Sequence, residues 1–351
     1  MTNVEQHTRR MTKNVHTKNL PWVDKYRPRV LKEVVGHDHI KVVLRKGIES
    51  GNLPHLLFHG ESGTGKTSTV LAIAMQLYGP NKIEQNVLEL NASDENGINV
   101  VREKIINFAK IVVGSPDPMR SFIPNFKMII LDEADSMTGE AQTALKKVME
   151  VTCDITRFVF ICNYENKIIE PIKSRCASFR FDPIPQIKMI SKLKEIASNE
   201  GIYISDKIFE AITKMCHGDA RQSIMTLQML KYANDLSNIT ENDVYAMTSQ
   251  MDAKILDKVW HRCLTCNVAE LIKYSLMLTN TGYSINSIVM CIKNKVLTSK
   301  LMNDKIKALI CIYIANIERM LAHGSDNQLL SVLAYINGLY RGIKFEDYDI
   351  F

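Results

Sequence analysis

The sequence predicts an α/β domain built on a parallel five-stranded sheet, then a small helical domain and an all-α C-terminal domain. Three observations carry this reading. The first half alternates short apolar runs with helical stretches, the pattern of a parallel sheet whose crossovers are helices. Two of those runs, 126–131 (FKMIIL) and 157–162 (RFVFIC), are nearly all apolar, as central strands covered on both faces must be. Beyond Asp182-Pro183-Ile184-Pro185 the alternation stops and the pattern is helical.

Strands are expected at 55–59 (HLLFH), 86–90 (NVLEL), 126–131, 157–162 and 178–181 (SFRF). Helical patterns fill 66–78, 100–112, 139–151 and 168–173. In the second region 188–199 (KMISKLKEIASN) repeats apolar residues at helical spacing, and Ser205-Asp206 and the stretch 240–243 read as helix N-caps. A long amphipathic run, 305–323, marks the last region. The division is a flexible polar lead-in at 1–19, an α/β domain at 20–182, a helical domain at 183–248 and a second at 249–351.

Composition narrows the classes. At 46% hydrophobic and 23% charged residues over 351 positions, the chain reads as a soluble globular protein with room for two or three cores. The net charge of +6 permits a nucleic-acid partner without arguing for one. No apolar run approaches the ~18–20 residues that span a bilayer, so no membrane partner is expected. The polar N-terminus lacks the apolar core of a signal peptide. Eight scattered cysteines suit reduced thiols in an intracellular compartment. Cys263 and Cys266, close to His261, lack the second ligand pair a zinc site uses, and read instead as buried helix cysteines.

The chemistry begins at 60–67, GESGTGKT, which fits G-x-x-x-x-G-K-[ST] between a strand and a helix. Glycines let backbone N–H groups face phosphate oxygens, and the helix N-terminus adds positive potential. Gly60, Ser62, Gly63, Thr64, Gly65, Lys66, Thr67 and Ser68 are the expected nucleotide-binding residues. Lys66 should reach the β/γ-phosphates, and the Thr67 hydroxyl should help hold Mg²⁺. Glu61 puts a negative charge beside a polyphosphate. It is either a side chain turned to solvent or a residue that weakens binding or turnover.

The strand at 126–131 delivers Asp132-Glu133-Ala134-Asp135 at its C-terminal end. Asp132 would support the Mg²⁺ shell, and Glu133 would polarise the attacking water as general base. The letters DEAD also invite a helicase reading, but the helical remainder has no room for a second RecA-like domain. Asn163 ends the strand at 157–162, expected between the phosphate-loop strand and the Asp-Glu strand, and so faces the γ-phosphate.

Arg175, in Ser174-Arg175-Cys176, should lie on a loop at the edge of the α/β domain, and Arg221, in HGDARQS, begins a helix. The ordered series Lys66, Asp132-Glu133, Asn163, Arg175, Arg221 resembles the AAA+ ATPases. That resemblance implies a helical lid at 183–248 whose Arg221 senses the nucleotide, and an Arg175 finger that completes a neighbouring subunit's site. From about Leu20 to Phe351 the chain is similar to the small subunits of replication factor C, the sliding-clamp loader. The matching stretches are WVDKYRP from Trp22 to Pro28, LNASD from Leu90, LDEADSMT from Leu131, ICNY from Ile161, SRC from Ser174, and the collar-like IANIERMLAHGSDNQLLSVL from Ile314. LDEADSMT and ICNY look closest to the subunit usually numbered four in animals.

The resemblance implies that Val23, Tyr26, Arg27 and Pro28 line an adenine pocket and that 249–351 forms an oligomerising collar. It implies ATP and Mg²⁺ as cofactors, and a hetero-pentamer with other clamp-loader subunits. ATP binding would close that ring on an opened PCNA-like clamp and primer–template DNA, and hydrolysis would release both. The site of action would be the nucleus; richness in Lys, Ile and Asn fits an AT-rich genome, that of a protist or of a large DNA virus, and a virus would place it in a viral replication compartment. DNA contacts are expected, without sequence readout, from Asn96, Arg102 and Lys104 on one helix and from Lys146 and Lys147 on another. The sequence departs from the family at Asn96, where Arg is usual, at Lys146-Lys147 for Arg-Arg, and at Glu61-Ser62 for Pro-Pro. Two rival readings remain: a nucleotide-binding structural subunit with little turnover, and another AAA+ remodelling ATPase.

Overall fold

The computed structural model describes residues 20–92, 103–108, 124–232, 239–240, 243–245, 251, 253–280, 283–321 and 328–343. The chain divides into two compact units, Met1–Asn234 and Asp235–Phe351.

In the first unit the elements run α1 (Trp22–Lys25), α2 (Asp38–Glu49), β1 (His55–Gly60), α3 (Lys66–Tyr78), α4 (Ile83–Asn86), β2 (Val87–Asn91) and β3 (Lys127–Asp132). They continue with α5 (Gly139–Thr152), β4 (Thr156–Cys162), α6 (Glu170–Lys173), β5 (Cys176–Phe181), α7 (Gln186–Asn199), α8 (Asp206–Met215) and α9 (Ala220–Tyr232). The sheet is parallel throughout, in the order β2-β3-β4-β1-β5. β3 and β4 are central and buried along almost their whole length, as their apolar sequences require.

Side-chain alternation splits the core in two. Phe58, Ile130, Val159 and Ile161 point to one face and pack with Val70, Ile73 and Leu77 of α3. Leu57, Ile129, Leu131, Phe158 and Phe160 point to the other and pack with Leu145, Val148 and Met149 of α5. Each such buried side chain contributes about 1.5–3 kcal/mol, so both helices are held by their apolar faces. The register Leu56↔Val159 and Ile130↔Val159 brings the C-terminal ends of β1, β3 and β4 to one edge of the sheet.

The expected strands appear with ends moved by a residue or two. β5 starts at Cys176 because Cys176 and Ala177 already pair with His55 and Leu56. The helix expected at 168–173 is reduced to α6 after a single tight turn at Glu165–Lys167, with Pro171 tolerated in its first turn. Of the helix expected at 100–112, residues 103–108 are described and are helical. Ser205 stands at the N-cap of α8 in extended backbone, but its hydroxyl makes no capping bond.

The second unit contains α10 (Ala253–Thr265), α11 (Val268–Thr279), α12 (Ile285–Thr298), α13 (Asp304–Leu321) and α14 (Gln328–Tyr340). α14 is buried almost all round, with Leu329, Val332, Leu333 and Ile336 in one cluster with Val259, Ile288, Ile310 and Ile314. Asn267 and Glu270 form a capping box at the start of α11. Cys263 is buried, with its thiol on the Leu333 carbonyl, and burial pushes that thiol up to about 12. Among the described residues no helix is long and apolar enough to cross a membrane.

Candidate functional site

β1 ends at Gly60, whose φ of +141° and position leave no room for a side chain. A Cβ there would lie 2.2 Å from the Phe181 carbonyl oxygen of β5. The chain then turns through the loop and enters α3 after Gly65 at φ +96°. Lys66 is buried, and its amine donates to Gly60 O at 2.6 Å, Glu61 O at 2.8 Å and Asn163 Oδ1 at 3.0 Å. Burial pulls the Lys66 pKa down, and the nearby Asp132 carboxylate opposes that pull. Thr64 is buried and its hydroxyl donates to Glu61 O at 2.9 Å. Glu61 thus joins the loop through its backbone, while its residue is exposed.

A histidine absent from the sequence reading supports this loop from behind. His37 is buried, sits at φ +50°, and contacts the Phe181 ring at 4.6 Å. Burial lowers its pKa, and the neutral imidazole donates Nε2–H to Thr64 O at 3.0 Å.

The acidic pair lies where β3 ends. The Thr67 hydroxyl donates to Asp132 Oδ2 at 2.9 Å, and the Glu133 N–H donates to Asp132 Oδ1 at 2.9 Å. Glu133 is exposed and adopts φ +53°, a left-handed backbone that costs a non-glycine residue about 1–3 kcal/mol. Asp135 accepts N–H bonds from Asn163 and Tyr164, each at 3.3 Å, which ties the end of β4 to the turn after β3. A hydroxyl beside a carboxylate is a donor set for a hard divalent cation, so Thr67 and Asp132 fit the magnesium role expected of them.

The segment leading into α9 meets the loop through backbone. Ala220 N–H donates to Gly63 O at 3.0 Å, and α9 starts there, so Arg221 stands in its first turn, exposed. The Arg221 charge is one of those acting on Lys66, which it disfavours in the protonated form. Asp219, just before, caps α9 by accepting from Gln222 N–H at 2.9 Å. Gly218 is held at φ +89°, where a Cβ would meet Pro183 at 2.7 Å.

Arg175 lies elsewhere. It precedes β5, whose first residue pairs with the first residue of β1, whereas the phosphate loop follows the last. At ~3.3 Å per residue, the length of β1 separates the two by roughly 17 Å. Arg175 is exposed, with Nη2 on Glu150 Oε1 at 2.7 Å and Nη1 on Pro171 O at 2.8 Å. Lys146 shares that Glu150 oxygen at 3.7 Å, and Lys147 is exposed on the same helix. Gln142, buried on α5, donates to Met137 O and Lys167 O and accepts from Ile169 N–H, fixing the approach to α6. Lys104 is half-buried in the helical stretch 103–108, and Asn96 and Arg102 lie outside the described residues.

Val23, Tyr26, Arg27 and Pro28 are half-buried along the segment that opens with α1. Arg27 pairs with Asp24 at 2.9 Å. This segment is fastened to α7 and α9. Trp22 N–H donates to Gln228 Oε1 at 3.0 Å, and the Tyr26 hydroxyl donates to Glu200 Oε1 at 2.7 Å. The sequence signalled Tyr26 but carried no mark on Glu200, whose partners are 31 to 175 positions away.

A parallel sheet of this order, with a phosphate loop after β1, acids after β3, a polar tip on β4 and an exposed arginine at the start of a helix bonded to that loop, defines an AAA+ P-loop nucleotide-binding protein. The family model for the DNA polymerase III delta subunit matches residues 36–185, and that for the replication factor C C-terminal domain matches 251–335. Replication factor C subunit 2 of Saccharomyces cerevisiae is 39% identical, over 91% of this chain and 93% of its own. Subunit 4 of Homo sapiens is 40% identical over 92% and 89%, and the small subunit of Thermofilum pendens 41% over 90% and 97%. The solved Thermotoga maritima RuvB Holliday junction branch migration motor shares the fold at a TM-score of 0.50 and 15% identity, over 76% of this chain and 90% of that one. A mutant of the same RuvB gives 0.51 and 16%, over 68% and 80%. The chain belongs to the replication factor C small-subunit family, the clamp-loader ATPases of DNA replication, which work as multi-subunit complexes.

Proposed function

We propose that this chain binds ATP with Mg²⁺ and hydrolyses it inside a hetero-pentameric clamp loader. That complex opens a PCNA-like sliding clamp and loads it onto primer–template DNA, in the nucleus. The observation that carries the reading is a pair of hydrogen bonds at one sheet edge, Lys66 to Asn163 and the adjacent Thr67 to Asp132. Lys66 would trade its loop carbonyls for phosphate oxygens, and Asn163, already on that amine, would orient the γ-phosphate. Mg²⁺ held by Thr67 and Asp132 would supply neutralisation of phosphate charge. Glu133, exposed beside it, would take the proton of the attacking water.

Arg175 supports an oligomeric site. Its distance from this chain's own loop leaves a neighbour's nucleotide as the target for a finger. Arg221 would read the nucleotide from the lid. Val23, Tyr26, Arg27 and Pro28 would hold the base, with Gly60 and residues 62–68 on the phosphates. Lys104, Lys146 and Lys147, together with Asn96 and Arg102, would face the DNA backbone. The division at 182/183 and 248/249 into ATPase, lid and collar is part of the same proposal. The relatives named above are eukaryotic and archaeal, and they lend the viral alternative no support.

The test is ATP turnover by the assembled complex, with the other subunits' sites disabled. Turnover that rises with primed DNA plus clamp, and vanishes with Glu133→Gln, supports the proposal. ATP binding without turnover would favour the structural-subunit reading.

A further inference from the structure

Glu200 is a tightly held acid of the first unit. Its side chain is 8% exposed and receives three donors. Lys25 pairs with Oε1, Tyr26 O–H donates to Oε1 at 2.7 Å, and Lys231 of α9 donates to Oε2 at 2.6 Å. Burial alone would raise its pKa, but Lys231, Lys25 and Tyr26 outweigh burial and hold the carboxyl at about 2. The Lys231 amine also lies 5.2 Å over the Trp22 ring. One carboxylate at the end of α7 therefore gathers the segment around α1 and the last turn of α9.

The opposite end of α9 is seated independently. There Ala220 N–H holds Gly63 O, and Ile184 N–H holds Gly218 O. Loss of the carboxylate would loosen the segment around α1, leaving it only the Trp22 N–H bond to Gln228 and the packing of Trp22, while the start of α9 stays on the phosphate loop. We propose that Glu200 is a positioning residue for nucleotide affinity, fixing the Trp22–Arg27 segment so that it can grip the base of ATP. This rests on the reading of that segment as the base pocket.

The experiment compares ATP with inorganic tripolyphosphate, which engages the phosphate loop but offers no base. Equilibrium binding to the full chain is measured for wild type, Glu200→Gln and Lys231→Met. The variants should weaken ATP by about tenfold, the scale of one charge-assisted hydrogen bond, and leave tripolyphosphate unchanged. Lys231→Met guards against a folding defect, because it removes one tie and leaves the buried carboxylate its bonds to Lys25 and Tyr26. Equal losses for both ligands would mean general destabilisation and overturn the proposal, as would unchanged ATP affinity in both variants. A wild type that binds ATP no better than tripolyphosphate would instead overturn the base-pocket reading, and the proposal with it.

Discussion

The Asp219 carboxylate occupies the space a side chain on Gly63 would need, since a Cβ there would lie 1.9 Å from Asp219 Oδ1. The phosphate loop and the cap of α9 are therefore fitted to each other at a single missing methyl. Gly63 also sits at φ +70°, so Gly63→Ala meets both a clash and a strained backbone. We expect a loss of about 1–3 kcal/mol in unfolding free energy, with weaker ATP binding. Asp219→Ala alone should cost about 1 kcal/mol through the lost cap. The double variant should lose less than the two combined, read from denaturant unfolding, because the clash disappears with its partner.

Glu133→Gln keeps the size and the N–H bond to Asp132 but removes the proposed general base. Turnover at this site should fall by about 10²–10⁴-fold, with ATP affinity unchanged. Single-turnover hydrolysis beside equilibrium binding separates the two effects.

Arg175→Ala should reduce hydrolysis at the neighbouring subunit's site by about 10³-fold or more. ATP binding by this chain's own loop should stay intact, because β1 separates the two. Reduced binding at this chain's own site, measured on the isolated chain, would count against a role in trans.

Acid titrates the Glu200 hub. Its carboxyl sits at about 2 against an ordinary 4.5, so the unfolded chain binds the proton more tightly than the folded one. The stabilisation is complete above pH 4.5 and is lost as pH falls through about 2. The gap corresponds to about 3 kcal/mol at neutral pH. Denaturant unfolding of wild type and Glu200→Gln should differ most at neutral pH and converge across that acid window.

Much of the site was legible because its parts are local. A glycine-rich turn between strand and helix, or two acids after an apolar strand, is written in a few adjacent letters. β4 was expected between β1 and β3, and it lies there. What stayed hidden depends on contacts between distant positions. Glu200 meets Lys25 across the whole first unit, and Asp135 captures the N–H groups of Asn163 and Tyr164 from another strand. Gln142 looks like any polar residue of an amphipathic helix until its amide is found buried among three backbone groups. Strand ends moved for a similar reason: Cys176 and Ala177 become strand only because His55 and Leu56 lie beside them.

The alignment of β1 with β5 has a consequence for counting. Arg175 stands at one end of this pair of strands and the phosphate loop at the other. If the arginine serves a neighbour, each chain gives at one end and receives at the other, a head-to-tail contact. A row of such chains that stops short of closing strands one loop without an arginine and one arginine without a loop. It then holds one fewer complete site than it has members, and the terminal chains are free to specialise.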